Sequence, residues 1–486
     1  MGFELLWFLI SLAVIKLVVH FVNRIITDTF LARKIIHILV GLIVCGLLYL
    51  FRDWTWLVLL GVAFVAINGW DIFRRNHVAM SNLEHNWGTI FFPLAFIFLI
   101  LYWGYAFREL ILTSFLIMVI SDSLAGIVGR FRGGIPSVIL CEPKTITGSF
   151  IFFIASGLIG ALALVFLFAL PFLPSLWLAL MIALLLTLVE ALSVGGIDNL
   201  TVPVFASFFY QTAIETPIIA GTRLFVGIMI CFLIVYLAWR NRWLDLGGNI
   251  AAFFLGTTIL FLTDWFWIFP LLFFFFSGSF LSQWKKDLKT ELTHWQEVSG
   301  RNVFQVFANA SIALLPAFFY NQTHELYWLY CYMAAIAAMT ADTWASELGM
   351  VGKSSAYSIL SFKPVAHGLS GAVSARGLLM AVAGGLIVPV FLRLVYPSVS
   401  WLVIVLIGFS AWLGQIVDSI LGATIQARYI CPVCNHPVEF SKHCHQQTSL
   451  SQGWRFINNH WVNFISSCAA MLIFAIFFHW FDLHVN

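Results

Sequence analysis

The sequence predicts an all-α polytopic membrane protein made of two fused helical-bundle domains. Of its 486 residues, 61% are hydrophobic and only 10% are charged, whereas a soluble globular protein carries about 25% charged residues. Apolar windows recur along the whole chain, and we expect roughly 15 or 16 spanning helices of about 20 residues each. The alternating polarity of a membrane β-barrel is not seen. The formal net charge of +3 gives no sign of a nucleic-acid partner.

Polar and basic residues divide the chain and orient it in the membrane. A polar segment near residues 240–247 interrupts the apolar sequence, which predicts one membrane domain over residues 1–240 and another over residues 241–486. Basic residues gather in alternate loops, so the positive-inside rule places these loops in the cytoplasm. This arrangement needs the N-terminus outside and residues 203–219 across the membrane. The N-terminal segment resembles neither a signal peptide nor a transit peptide, which favours a prokaryotic plasma membrane.

The first candidate site residues lie in RKIIHILVG at 33–41. Arg33, His37 and Gly41 are spaced four apart, so they share one face of a helix that begins at the cytoplasmic boundary. A basic face at that depth suits an anionic group. A snorkelling Arg beside a packed His explains the same pattern without a ligand.

Asp122, in SDSLAGIVG at 121–129, lies toward the inner end of an apolar segment. Because Mg²⁺ prefers carboxylate and phosphate oxygens, Asp122 is a candidate magnesium ligand. The next loop, CEPKTITGS at 141–149, combines a lysine, hydroxyls and a glycine before a helix, which is a composition that binds polyphosphates. An ordinary connecting loop is the alternative. The candidate nucleotide-binding residues here are Lys144, Thr145, Gly148 and Ser149.

Two further acids, Glu190 and Asp198, lie in EALSVGGIDNLTVP at 190–203. They could bind a second metal or orient an attacking hydroxyl. Either His37 or Asp198 would accept the proton of an alcohol. Asn199 joins the candidate nucleotide-binding residues.

In the second half, SGRNVFQVFANA at 299–310 begins a helix with Arg301, Asn302, Gln305 and Asn309 on neighbouring turns. A guanidinium and three amides at a membrane boundary are costly unless they are hydrogen-bonded. Either a phosphorylated substrate or a packed polar seam would satisfy them.

Acidic residues inside apolar segments mark a second site. Asp342 and Glu347 lie in ADTWASELG at 341–349, and Asp418 lies in GQIVDSILGA. A carboxylate at the centre of a spanning helix costs about 2.5 to 3.5 kcal/mol, so such residues usually mark a site. We predict catalytic roles for Arg301 and the three acids, with Asp342 and Asp418 as magnesium ligands. The loop SFKPVAHGLSGAVSARG at 361–377 adds a candidate phosphate cradle of Lys363, Gly368, Ser370, Gly371 and Ser374.

The two halves share a weak internal repeat. In each half an aspartate is followed by a lysine and a glycine at nearly equal distances: Asp122, Lys144 and Gly148, then Asp342, Lys363 and Gly368. Common descent explains this order. Recurrence of small and acidic residues wherever membrane helices pack closely explains it equally well.

A cysteine- and histidine-rich loop over residues 428–456 is the strongest local motif. Cys431 and Cys434 have CxxC spacing and are followed by His443 and Cys444, which predicts a four-ligand structural zinc site. His445 is an alternative fourth ligand. A disulfide is disfavoured because the loop is expected to face a reducing cytoplasm.

The motifs of the first half resemble the membrane polyprenol kinases, the phytol and dolichol kinase family, over about residues 30–215. They are RKxxH followed by Gly, the Asp-x-x-Ala-x-x-x-Gly helix, the Lys-Thr-x-x-Gly-Ser loop and the Glu followed by Asp-Asn and Pro. The resemblance implies transfer of the γ-phosphoryl group of CTP to a long-chain prenol. Thr147 stands where many members have Glu.

The motifs of the second half resemble the phytyl-phosphate kinase family over about residues 245–480. They include SGRNxxQVxAN, ADTWASE, HGLSGxVSxxG and INNHWVN. The resemblance implies addition of a second phosphate to a prenyl monophosphate, with Asn458 and Asn459 at the nucleotide. His460 stands where the family usually has Asp.

Together these observations predict a bifunctional isoprenoid-alcohol kinase. Its partners are a long-chain prenol and its monophosphate in the bilayer, with CTP or another nucleotide and Mg²⁺ from the cytoplasm. A second site on the same chain would raise the effective concentration of the intermediate. A lipid transporter and a cytidylyltransferase that makes a CDP-lipid are the alternatives.

Overall fold

The computed structural model describes residues 2–78, 87–132, 136–137, 144–284, 301–351, 355–365, 369–434, 437–439 and 441–481. Contacts between residues divide the chain into two compact units, Met1–Val226 and Gly227–Asn486. The division falls inside the helix Pro217–Arg240, whose last residue is the boundary expected from the sequence. The different functions assigned to the two domains stay a prediction.

The first unit is a bundle of helices. Its described helices are α1 (Gly2–Ile25), α2 (Thr29–Leu50), α3 (Thr55–Val78), α4 (Gly88–Trp103), α5 (Arg108–Leu116), α6 (Ser123–Phe131), α7 (Ile146–Phe166), α8 (Phe172–Leu192) and α9 (Asp198–Glu215), and α10 (Pro217–Arg240) continues into the second unit. A π-helical segment, Ile117–Asp122, joins α5 to α6. Two short strands, β1 (Pro136–Ser137) and β2 (Lys144–Thr145), pair antiparallel just before α7.

The second unit adds small sheets to a helical bundle. Its described helices are α11 (Leu246–Leu262), α12 (Ile268–Gln283), α13 (Val303–Ala310), α14 (Leu314–Thr323), α15 (Leu326–Gly349), α16 (Ala375–Val395), α17 (Trp401–Thr424) and α18 (Asn459–Trp480). Between helices lie β3 (Ala356–Ser358), β4 (Pro364–Val365), β5 (Ala372–Val373), β6 (Arg428–Ile430), β7 (Pro437–Val438), β8 (Lys442–His443), β9 (Gln446–Gln447) and β10 (Ser449–Gln452). Strand β3 lies between β4 and β5, and β6 lies between β10 and β7.

The predicted class, an all-α polytopic membrane protein, is confirmed. The described residues contain 12 helical segments that are long and apolar enough to cross a membrane, which is fewer than the 15 or 16 expected. Two apolar helices, α4 and α11, are shorter than the 18 residues such a segment needs.

Two buried helices account for part of the difference between the expected and the observed number of spanning segments. Helix α9 covers most of the predicted crossing at 203–219 but is not among the 12 segments. Its Val202, Ala206 and Tyr210 are fully buried within the first unit. Helix α15 is likewise outside the 12, and nearly every side chain from Leu329 to Ala341 is buried. Helices surrounded by other helices can carry polar residues that a lipid-facing helix cannot.

Candidate functional site

A buried ion pair joins α2 to the segment that carries Asp122. The Nζ atom of Lys34 lies 2.7 Å from Asp122 Oδ2, and both side chains are only 13% exposed. Asp122 is the last residue of the π-helical segment, a feature that occurs often at functional sites. The stem of Lys34 crosses α6 at Gly126, where a Cβ atom would lie 2.7 Å from Lys34 Cε. Glycine at this position is therefore what lets the lysine reach the aspartate.

A second lysine lies between two further acids of the first unit. Lys144 Nζ lies 2.9 Å from Glu190 Oε1 and 3.6 Å from Asp198 Oδ2. It also donates a hydrogen bond to the backbone carbonyl of Glu190. Glu190 is in the last turn of α8, Asp198 begins α9, and Lys144 lies two residues before α7. Three helix ends therefore bring these side chains together.

Electrostatics link the two ion pairs into one cluster, which we call the first-unit cluster: Lys34, Asp122, Lys144, Glu190 and Asp198. Burial lowers the pKa of the Lys144 amine, but the carboxylates of Glu190 and Asp198 outweigh burial and raise it above its ordinary value. Burial and the nearby Asp122 carboxylate raise the pKa of Asp198. Two lysines and three carboxylates leave a formal charge of −1.

The first-unit cluster has the donor chemistry of a magnesium site. Glu190 Oε2 is buried and makes no hydrogen bond to any part of the chain that the structure describes. An unpaired buried carboxylate oxygen is costly. A hard divalent cation held by one or two carboxylates, water and phosphate oxygens would satisfy it. The residues fit Mg²⁺, with Glu190 added to the predicted ligand Asp122.

Lys34, which the sequence analysis missed, takes the position expected of Arg33. Successive residues of an α-helix point about 100° apart, so the two neighbouring side chains cannot both face Asp122. Arg33 is exposed and lies over the ring of Phe30 at 5.6 Å. Lys34 also shares a face with His37 and Gly41, at spacings of three and four. The spacing in the sequence is compatible with either residue, so it does not choose between Arg33 and Lys34.

His37 lies on the same helix among apolar neighbours. Its Nε2 atom is 3.1 Å from Met118 Sδ, and its ring contacts Phe92 edge-on at 4.8 Å. Asp198, the other candidate base, lies beside Lys144. The choice between these two bases stays open.

The predicted loop residues of the first unit lie where α7 begins. Thr145 is the N-cap of α7, and its Oγ1 accepts a hydrogen bond from the Gly148 N–H at 3.1 Å. Ser149 follows, half-buried, in the first turn. Asn199 donates a hydrogen bond to the Gly88 carbonyl at 3.1 Å, while its Oδ1 is buried and has no partner among the described residues.

In the second unit, Asp342 and Asp418 lie on packed faces of α15 and α17. A Cβ atom on Gly414 would lie 3.5 Å from the Cβ of Ala338. Since Asp418 and Asp342 come one helical turn after these two residues, their carboxylates face the same space. They are close enough for electrostatic repulsion. Asp418 Oδ2 is also buried without a hydrogen-bond partner in the described ranges, so this pair too fits a divalent cation.

Arg301 and Glu347 extend this acid pair toward α12. A Cβ atom on Gly278 of α12 would lie 2.9 Å from Arg301 Nη2 and 3.3 Å from the side chain of Thr343. The Arg301 guanidinium therefore reaches the turn of α15 that carries Asp342. Glu347 Oε1 accepts a hydrogen bond from Ser282 of α12 at 2.7 Å.

The predicted phosphate cradle of the second unit is only partly brought together. Lys363 is exposed between β3 and β4, and among the described residues no hydrogen bond or ion pair joins its side chain to Asp342. Gly368 lies outside the described residues. Gly371 has a φ of +78° and packs against Ala423 of α17, where a Cβ atom would be 2.5 Å from the alanine Cβ.

Ser370 belongs to a polar cluster that the sequence analysis missed, formed by Ser370, Gln426, Arg428 and Glu439. Ser370 Oγ donates a hydrogen bond to Glu439 and accepts one from Gln426 Nε2 at 2.9 Å. Arg428 donates to the backbone carbonyls of Ser370 and Gly422. This polar cluster connects the loop before α16 to the cysteine-containing loop.

Three predicted asparagines of the second unit lie at helix starts. Asn302 caps α13 in a capping box with Gln305. Asn458 caps α18 by accepting the N–H groups of His460 and Trp461 at 3.0 and 3.2 Å. Asn459 is exposed beside it. The caps give Asn302 and Asn458 a local structural role whether or not they contact a nucleotide.

The two units repeat one arrangement, in which a glycine of the acid-bearing helix packs against the capped start of the next helix. A Cβ atom on Gly129 would lie 2.6 Å from Thr145 Oγ1 and 3.4 Å from Gly148 Cα. In the second unit a Cβ atom on Gly349 would lie 3.4 Å from Ser374 Oγ and 3.0 Å from Gly377 Cα. The glycines follow Asp122 and Asp342 at equal spacing, and each hydroxyl is an N-cap that binds a glycine N–H three residues on.

This repeat has a different register from the one inferred from sequence. The structural counterpart of Gly148 is Gly377, not Gly368. Gly148 packs against Gly129 and Gly377 packs against Gly349, and these two partners follow Asp122 and Asp342 at equal spacing. Consequently the residue before the cap is Lys144 in the first unit and Val373 in the second. Along the sequence, Glu190 of α8 follows Gly148 at nearly the same distance as Asp418 of α17 follows Gly377.

The structure also gathers the four predicted zinc ligands. The ligand atoms of Cys431, Cys434, His443 and Cys444 all lie within 4.8 Å of one another. His443 Nδ1 is 3.5 Å from Cys434 Sγ and 3.3 Å from Cys444 Sγ. Cys444 and His445 have φ angles of 48° and 60° and form the two-residue turn of the β8–β9 hairpin. This turn leaves His445 exposed and outside the group.

The helices and the acids enclosed among them define a polytopic integral membrane protein. The chain belongs to the family described as integral membrane protein DUF92, whose model matches residues 229–471. The matched residues include the acids of α15 and α17 and the four cysteine and histidine residues.

Relatives occur in a plant, an archaeon and a cyanobacterium. Protein PGR of Arabidopsis thaliana is 31% identical over 269 residues, which cover 50% of this chain and 92% of that protein. An uncharacterized membrane protein of Methanocaldococcus jannaschii is 30% identical over 213 residues, 43% of this chain and 85% of its own. An uncharacterized membrane protein of Synechocystis is 28% identical over 182 residues, which cover 37% of this chain and 70% of that protein. No solved structure matches the chain.

Proposed function

We propose that the chain is a bifunctional isoprenoid-alcohol kinase, in which the first unit makes a prenyl monophosphate and the second converts it to the diphosphate. The observation that carries the proposal is the repeated arrangement of an acid-bearing helix against a capped helix start, with further acids beside it in each unit. The sites would face the cytoplasm of a prokaryotic cell, where the nucleotide, CTP or a related one, is available. The isoprenoid tail would stay in the bilayer.

In the first unit, Asp122 and Glu190 would hold Mg²⁺, which when bound neutralises charge on the nucleotide phosphates. The prenol oxygen attacks the γ-phosphorus, the bond from that phosphorus to the β-phosphate oxygen breaks, and the nucleoside diphosphate leaves. Asp198 or His37 accepts the alcohol proton. Lys144, held between Glu190 and Asp198, would position the phosphates.

In the second unit, Asp342 and Asp418 would hold the corresponding ion. The attacking group is a phosphate monoester oxygen, which is already anionic and needs no general base. Arg301, whose guanidinium reaches Thr343, would bind that monoester because a guanidinium forms two parallel hydrogen bonds with a phosphate. Ser374 and Gly377 would present the start of α16 to the nucleotide.

The Cys431, Cys434, His443 and Cys444 group would bind one structural zinc ion. Three cysteines and one histidine in a tetrahedral arrangement are typical of closed structural sites. Its place next to the polar cluster of Ser370 and Glu439 suggests that the ion stabilises the loop before α16.

Product analysis with the purified full chain tests the two-step proposal. With a prenol and γ-labelled CTP, Asp122→Asn should abolish both products, whereas Asp342→Asn should let the monophosphate accumulate. Supplying the monophosphate to Asp122→Asn should restore diphosphate formation. Asp53→Asn, at an exposed position outside both sites, is the matched control and should behave as the unaltered chain.

Two outcomes would overturn the assignment. One is normal diphosphate formation by both site variants. The other is release of pyrophosphate with a CDP-linked lipid, which would identify a cytidylyltransferase instead.

A further inference from the structure

The second unit contains a cavity of about 80 Å³ with apolar walls and one polar end. Cys231 of α10, Ala252 and Gly256 of α11, and Phe274 of α12 are among the residues that line its walls. It is smaller than the roughly 150 Å³ cavity that holds benzene. It can therefore enclose only the first carbons of an extended hydrocarbon chain.

Among the described residues, the amide and guanidinium groups that line the cavity come from one segment of the chain. Arg301, Gln305 and Asn309 line it and are spaced four residues apart, so they form one stripe. Gln305 is engaged in the capping box with Asn302, and Asn309 accepts a hydrogen bond from Asn463 at 3.1 Å. Arg301 is thus the member of the stripe that brings a positive charge to the cavity.

The backbone of Arg301 lies beside the short segment that connects α10 to α11. Its N–H donates a hydrogen bond to the Trp243 carbonyl at 3.0 Å, and its own carbonyl accepts one from the Asp245 N–H at 3.2 Å. Asp245 is the N-cap of α11. The charged end of the cavity therefore lies at a helix boundary, and the apolar walls extend along α10, α11 and α12.

The same guanidinium connects the cavity to the acid pair. Gly278 lies between the Arg301 guanidinium and the Thr343 side chain. A Cβ atom on Gly278 would be 2.9 Å from Arg301 Nη2. Thr343 follows Asp342 directly. A phosphate held by Arg301 would therefore lie at the turn of α15 that carries Asp342.

We infer that this cavity binds the head-proximal part of an isoprenoid monophosphate, with the phosphate on Arg301 and the first carbons between α10, α11 and α12. The inference rests on the proposed function of the second unit and deepens it, because it names where the acceptor substrate binds. Charge complementarity selects a monophosphate over a free alcohol, and the apolar walls select an amphiphile over inorganic phosphate.

Equilibrium binding without nucleotide tests the inference separately from turnover. The probe is labelled geranylgeranyl monophosphate, and the protein is the full chain in nanodiscs. Ala252→Leu should weaken binding about tenfold by filling the cavity, and Ala252→Val should weaken it less. Arg301→Gln should weaken binding of the monophosphate but not of geranylgeraniol.

Matched controls separate the cavity from general lipid binding. Ala469→Leu makes the same change outside the cavity, in α18, and should leave binding unchanged. Inorganic phosphate and phosphatidic acid, each tested at the concentration of unlabelled monophosphate that halves the signal, should not compete. Thermal unfolding of each variant confirms that it is folded.

The outcomes separate this inference from the kinase proposal. Unchanged binding in both Ala252 variants, or equal competition by phosphatidic acid, would overturn the cavity assignment. If binding changes as expected but no nucleotide yields a diphosphate, the kinase proposal fails while the isoprenoid-phosphate site stands. If Ala252→Leu forms diphosphate with an unchanged KM, the cavity assignment fails and the kinase proposal stands.

Discussion

Gly349 and Gly377 approach so closely that a Cβ atom on Gly349 would lie 3.0 Å from the Cα of Gly377. The contact joins the end of α15 to the first turn of α16. It sets the hydroxyl of Ser374 against the helix that carries Asp342. Gly129 and Gly148 make the equivalent contact in the first unit. Small residues at membrane helix contacts allow such close approach of backbones.

We predict that Gly349→Ala destabilises the protein. The new methyl group would press on backbone atoms of α16, which cannot move aside as a flexible side chain can. Overpacking of this kind typically costs about 1–3 kcal/mol. Thermal unfolding of the full chain in detergent measures the loss. Gly46→Ala is the matched control, because a Cβ atom there meets nothing within 4 Å and alanine is the better helix former. Equal unfolding temperatures for the two variants would contradict the prediction.

Much of the fold and part of the candidate site could be predicted from the sequence. Composition alone gives the class, since so few charges cannot cover a soluble protein of this size. The zinc-ligand spacing is local, so Cys431, Cys434, His443 and Cys444 can be chosen from their order along the chain, and they do come together. Asp122 and Glu190 stand out because ionisable residues in apolar segments are rare. Lys144 stands out because its loop has a composition that binds polyphosphates, and Asp198 because it lies in the loop after Glu190.

The remaining site residues depend on contacts between distant segments. Lys34 rather than Arg33 meets Asp122 because of the rotation of α2, which small changes in helix packing decide. Glu439 and Ser370 are 69 residues apart and meet through strands too short to show a pattern. The repeat register was misplaced because Lys363 resembles Lys144 in sequence, whereas the glycine contacts that define the repeat appear only in three dimensions.

We predict that the Lys34–Asp122 pair is stabilising as a pair and that either charge alone is harmful. Lys34→Met leaves a buried carboxylate without its partner, which typically costs about 3–5 kcal/mol. Adding Asp122→Asn removes that charge and should recover at least half of the loss in unfolding temperature. Arg33→Met, on the exposed neighbour, is the control and should have little effect. A double variant no more stable than Lys34→Met would show that the two side chains act independently.

Metal analysis should find one zinc ion per chain. Cys431→Ser and Cys444→Ser should each lose it, because a structural zinc site needs all four ligands. His445→Ala should keep it, since the β8–β9 turn points His445 away from the group. Cys468→Ser, a cysteine in α18 outside the group, controls for loss of any thiol. Zinc retained in Cys444→Ser but lost in His445→Ala would mean that His445 is the fourth ligand.

We predict a pH-dependent contribution from Glu439 to stability. Burial raises the pKa of its carboxyl above the ordinary value of 4.5, although the Ser370 hydroxyl and the Arg428 guanidinium act in the opposite direction. The folded protein therefore holds this proton more tightly than the unfolded chain. The contribution is complete below pH 4.5 and is lost as the pH rises through the folded-state pKa.

Glu439→Gln removes this titration while keeping an oxygen that can accept the Ser370 hydrogen bond. Relative to this variant, the unaltered protein should lose unfolding temperature as the pH increases from 4.5 through the folded-state pKa. Glu325→Gln, at an exposed carboxylate, is the matched control and should follow the unaltered protein. Thermal unfolding measured at half-unit pH steps would show the difference, because the stability gap changes only where one state binds the proton and the other does not. Parallel curves for Glu439→Gln and the unaltered protein would mean that Arg428 and Ser370 fully compensate burial.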